Sequence, residues 1–68
     1  MRRVEGYDSY NSKRTADIYR GPEMDEYVVK FYDTRRGVDM DYADYYADSI
    51  VDARDTARDY VDKGRLPN

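Results

Sequence analysis

The segment EYVVKFYD, residues 26–33, sets Tyr27, Val29 and Phe31 at alternate positions with Val28, Lys30 and Tyr32 between them. A period of two in β-branched and aromatic residues predicts a β-strand. Upstream, TADIYR alternates Ala16 and Ile18 with Thr15, Asp17 and Tyr19, and the following Gly21-Pro22 is a turn signal. Downstream, TRRG closes a second turn, and VDMDY sets Val38, Met40 and Tyr42 against Asp39 and Asp41, which predicts a third strand. The alternation breaks at ADYYA, either as a bulge or as the exit from the sheet.

From Asp48 onward the apolar period lengthens. Ile50, Ala53, Ala57, Tyr60 and Val61 recur at helical spacing, Asp48 or Ser49 suits the N-cap, Gly64 suits the C′ position and Pro67 lies just beyond. A helix is expected from about Ser49 to Lys63. Residues 1–13 show neither period and are expected to form a loose N-terminal arm, leaving 14–68 as a single domain. Neither sheet nor helix can bury its apolar side alone. The expected fold class is therefore α+β, a small three-stranded antiparallel sheet (β-β-β-α) with one C-terminal helix packed on one face. Its expected core is Ile18, Tyr27, Val29, Phe31, Met40, Tyr42, Ile50, Ala53, Ala57, Tyr60 and Val61.

Composition narrows the function. A chain of 68 residues has a core only marginally able to offset the entropy of folding, so a partner or a second copy would help it. The absence of Cys and His removes disulfides, thiolate and imidazole metal sites and the usual general base. A non-catalytic protein without cofactor or metal is expected, because so small a core can hardly enclose a catalytic pocket. No apolar run approaches a membrane span of about 20 residues, and MRRVEGYDSYN lacks the apolar middle of a signal peptide. A soluble cytoplasmic protein with no membrane partner is expected.

Charge is uneven. Residues 1–37 carry a net +1 and residues 38–68 a net −4, and twelve of the fifteen acids are Asp. On a helical wheel Asp48, Asp52, Asp55, Asp59 and Asp62 cluster opposite the apolar stripe. Any amphipathic helix has a polar back, and that alone accounts for the spacing. It does not account for the single sign, because each Asp–Asp neighbour costs roughly a few tenths of a kcal/mol. Arg58 is positioned to relieve Asp55 and Asp62, and Lys63 to relieve Asp59. A row of carboxylates roughly 5 Å apart along the helix axis matches the scale of a nucleic-acid backbone. The five Asp residues are therefore candidate contacts for a protein with a basic, nucleic-acid-binding surface, extended from the strand side by Asp39, Asp41 and Asp44. Asp-rich surfaces also suit high-salt habitats, where only water and ions would meet the stripe.

Three other constellations carry less. DMDYAD holds the carboxylates of Asp39, Asp41 and Asp44, but a calcium loop would need a turn glycine that is absent and would put Ile50 at its twelfth position. Charged positions on an edge strand that discourage aggregation explain them better. Arg2-Arg3, Lys13-Arg14 and Arg35-Arg36, interleaved with Tyr7, Tyr10 and Tyr19, would suit single-stranded nucleic acid, yet the acidic chain opposes it, so direct nucleic-acid binding is not expected. Tyr19, Val28 and Tyr32 should lie on the sheet face away from the helix. They form an alternative partner-binding or homodimer surface unless the N-terminal arm, with Val4, Tyr7 and Tyr10, folds over them.

The motifs EYVVKFY, ADYYADS and DARDTA, within about residues 18–61, resemble small uncharacterised accessory proteins of tailed phages, especially marine and cyanobacterial ones. None of these motifs is catalytic, and the resemblance transfers no functional residue. It implies a product acting in an infected bacterium, in host takeover or counter-defence, on a host or phage protein with a basic surface.

Overall fold

The computed structural model describes residues 2–9, 14–22, 26–33, 37–39 and 43–67. In chain order the elements are β1 (Arg2–Asp8), β2 (Arg14–Arg20), β3 (Tyr27–Asp33), β4 (Val38–Asp39), β5 (Tyr45–Ala47) and α1 (Ile50–Lys63). The class is α+β, as the two periodicities imply. The sheet is antiparallel and larger than the three strands expected: β1, β2 and β3 lie side by side, and β4 and β5 share the outer edge of β3.

The additional strand comes from the segment expected to be a loose arm. Residues 2–8 pair with β2 from Arg2 opposite Arg20 to Asp8 opposite Thr15, with a register shift between Arg3 and Glu5. That irregularity is why RRVEGYD shows no clean alternation, since a bulge changes which face the following residues meet. Beyond the shift, Glu5 and Tyr7 stand opposite Ile18 and Ala16, and Tyr7 packs against the core. Residues 2–8 of the arm therefore widen the sheet and do not fold over its far face, and Tyr10 lies outside the described residues. Two arginines and the bulge also blunt this exposed edge against unwanted pairing.

Within ADYYA, Tyr45–Ala47 pair with β3 as β5, out of register with β4. Between the pairs Tyr32–Asp39 and Val29–Tyr45, β3 advances three residues while the outer chain advances six, so three residues are extra. Met40 and Tyr42, expected in the core, lie outside the described residues.

α1 begins and ends as its sequence requires. The Ser49 side chain accepts from the Asp52 N–H at 3.1 Å, and Gly64 ends the helix with φ 72°, a left-handed conformation that glycine adopts without a Cβ clash. Gly64 N–H donates to the Tyr60 carbonyl at 2.7 Å. The inner face presents Ala53, Ala57, Tyr60 and Val61, all buried, against Ala16, Ile18, Val29, Phe31 and Ala47. Two alanines on that face let the helix approach the sheet closely. Tyr60 meets Phe31 edge-to-face, with centroids 5.0 Å apart, and its hydroxyl donates to the Tyr32 carbonyl at 3.0 Å. Ile50 and Tyr27 are only partly buried at the margin of this core.

Arg14 fastens the C-terminal end of α1. Its Nε donates to the Tyr60 carbonyl at 2.9 Å and its Nη2 to the Val61 carbonyl at 3.3 Å, satisfying acceptors at the negative end of the helix dipole. A side chain at Gly64 would press on this guanidinium. Arg14, in one of the basic clusters of the sequence, is thus the first residue of β2 and a helix anchor.

Candidate functional site

The outer face of α1 is set by the burial of its inner face. Asp48, Asp55 and Asp62 are exposed, and Asp52 and Asp59 are half-buried. Asp55 and Asp62 are seven positions apart on α1, about 10 Å along its axis, whereas Asp48 precedes the extended Ser49 N-cap and lies off the helix. Val51 lies beside them with 62% of its surface exposed.

Asp52 is drawn out of the stripe. Its Oδ2 accepts the Tyr45 hydroxyl at 2.8 Å, tying the first turn of α1 to β5, and this bond pushes the Tyr45 phenol above its ordinary pKa. Its carboxylate also lies in the first turn, where the helix dipole favours it. Structural duty therefore accounts for one of the five acids, and Asp48, Asp55, Asp59 and Asp62 remain as the surface a partner would meet.

The cations expected to relieve them do not. Among the described residues, Arg58 forms no ion pair with Asp55 or Asp62, and Lys63 forms none with Asp59. Arg54, on the flank of α1, reaches to the sheet instead. Its Nε lies 3.1 Å from both oxygens of Glu5, and its Nη2 lies 2.7 Å from Oε2. The Tyr7 hydroxyl donates to Glu5 Oε1 at 2.7 Å. The Arg54 hydrogen bonds, followed by that of Tyr7, hold the Glu5 carboxyl below its ordinary pKa. Burial, then the bond to Glu5, pushes the Tyr7 phenol up. Comparison with protein-family models, curated proteins and solved structures finds no match to the chain.

Of the strand acids, Asp44 is tied to the sheet. Asp44 Oδ2 pairs with Lys30 Nζ at 2.7 Å, while its Oδ1 is buried without a partner among the described residues. The side chain of Asp39 and the whole of Asp41 lie outside the described residues. Among the described residues no three His, Cys, Asp or Glu side chains group to hold a metal, and no helix is long and apolar enough to cross a membrane.

The alternative surface needs a larger correction. Tyr19, Val28 and Tyr32 do occupy the face away from α1, with Tyr19 directly opposite Val28. Val28 is only 1% exposed, and Tyr19 and Tyr32 are half-buried, so these three do not make an open aromatic patch. Among the described residues, the exposed aromatic of that face is Tyr46, 65% exposed and opposite Val28 in β5. Sequence reasoning missed it because ADYYA carries no clean period. Arg3 and Asp17, paired at 3.2 Å, occupy the same face.

Proposed function

We propose that this is a small non-catalytic binding protein whose outer α1 face engages a basic surface of a protein partner, one that otherwise binds nucleic acid. One observation carries the reading: Asp48, Asp55, Asp59 and Asp62 form no ion pair among the described residues, while the neighbouring Arg54 is committed to Glu5. Among the described residues no cation therefore offsets these acids, at some local cost. A lysine- and arginine-rich groove shaped for phosphates supplies the complementary field. In an infected bacterium, such an interaction would serve host takeover or counter-defence by blocking access of nucleic acid to its protein.

The test is affinity capture of host proteins at two salt concentrations, with the wild type beside a variant carrying Asp48→Asn, Asp55→Asn and Asp62→Asn. Asp52 is left intact because its bond to Tyr45 would confound the result. The expected outcome is a partner that the wild type retains at low salt, releases as salt rises and loses in the variant. Equal recovery by a folded variant at both salts would falsify the reading and return the stripe to the solvated side of a helix.

A further inference from the structure

We propose an oxyanion site of the phosphate-monoester class between Arg2 and Arg20, separate from the acidic helix face and independent of its function. The β1–β2 register sets these two residues directly opposite each other. Cross-strand neighbours lie about 5 Å apart at Cβ, where like charges are destabilising. Nearby arginines have partners: Arg3 pairs with Asp17, Arg14 binds the carbonyls at the end of α1, and Arg54 grips Glu5. Arg2 and Arg20 have no ion pair among the described residues, and the Glu26 carboxylate that packs over Gly21 forms none with either.

The Arg20 fork is held in place. Tyr27 is its register partner on β3; Arg20 Nη1 donates to the Tyr27 hydroxyl at 3.2 Å, and the guanidinium carbon lies 5.4 Å from the ring centroid. This leaves other guanidinium N–H groups to donate. Arg2 and Arg20 line a solvent-open hollow of about 400 Å³ whose wall continues through Gly21 and Pro22. That volume falls within the usual range for small-ligand sites. Two guanidinium forks lining one hollow suit a dianion with three terminal oxygens, whereas a carboxylate satisfies only one fork. Pro22 and the arginine stems offer apolar surface to an organic group esterified to the phosphate.

The full chain is titrated in parallel with inorganic phosphate, with a nucleoside 5′-monophosphate and with chloride at matched ionic strength, while backbone amide and arginine Nε resonances are followed. The expected result is saturable shifts at Arg2, Arg20 and Gly21 with both phosphate species and not with chloride. Tighter binding of the nucleotide identifies an esterified ligand, and equal binding identifies the free anion. Arg2→Gln alters the exposed end of β1, and Arg20→Lys keeps the charge but removes the fork; each should weaken the shifts at least ~tenfold in a folded protein. Shifts that match those of chloride, or that survive both substitutions, overturn the site.

Discussion

The two sides of α1 share one rhythm and meet opposite fates. Inward, Ala53, Ala57, Tyr60 and Val61 are buried, and every polar feature named on that side has a partner: Tyr60 with the Tyr32 carbonyl, Arg54 with Glu5, and the last carbonyls with Arg14. Outward, Asp48, Asp55 and Asp62 stand exposed beside Val51 and pair with nothing among the described residues. The inner side is explained by folding, since removing any of its contacts leaves a void or an unpaired group. The outer side has no such explanation, and the proposed partner rests on its charge.

Substitutions should divide along that boundary. The largest effect is expected at Phe31→Ala, which empties the ring position under Tyr60 and should cost about 3–5 kcal/mol. In so small a domain that approaches the whole stability, and urea denaturation should show a largely unfolded population in buffer. Tyr60→Phe keeps the edge-to-face contact and removes the hydroxyl that donates to the Tyr32 carbonyl. Its expected cost is about 1 kcal/mol, read as a shift in denaturation midpoint at constant slope.

A subtler effect should appear with pH. Because Arg54 and Tyr7 depress the Glu5 pKa in the folded chain, the stabilisation from that carboxylate is fully present above its ordinary value of 4.5. It is lost as pH falls through the lower folded value. Comparing wild type with Glu5→Gln across that acid range should show a flatter stability profile in the variant, and identical profiles would remove the Glu5–Arg54 latch from the account. The smallest effect belongs to the outer side. Asp55→Asn with Asp62→Asn should change stability by no more than about 0.5 kcal/mol, with the sign toward stabilisation because repulsion is relieved. A clear loss in thermal melting would mean that the outer acids serve the fold and would blur the contrast between the two sides.

Legibility followed the same division. Helix α1 was readable to within a residue because Ser49, Gly64 and the spacing of its alanines are local signals. Strands β2 and β3 were readable because their alternation is unbroken. Among the candidate site residues, exposure of Asp55 and Asp62 followed from the wheel, but Asp48 lies before the helix, and the withdrawal of Asp52 was not legible because Tyr45 approaches from a strand whose register could not be known. Val28 was misjudged for a related reason. In YVVKFY both faces are apolar, and periodicity alone cannot say that the face away from the helix also buries its central residue.

The sequence by itself determined the class of the fold, the ends of the helix and which residues face the core from β2, β3 and α1. Each of these rests on a repeat of two or of 3.6 residues that the chain carries locally. Only the tertiary structure decided that RRVEGYD joins the sheet, that three extra residues split the outer strand into β4 and β5, and that Arg14, Arg54 and Asp52 are spent on the fold while their neighbours are not. The physical reason is that a charged or hydroxyl-bearing side chain has many possible partners along a chain. Which one it takes depends on distances between segments up to 49 residues apart in sequence, as for Glu5 and Arg54, and those distances exist only once the sheet has its register and the helix is laid across it.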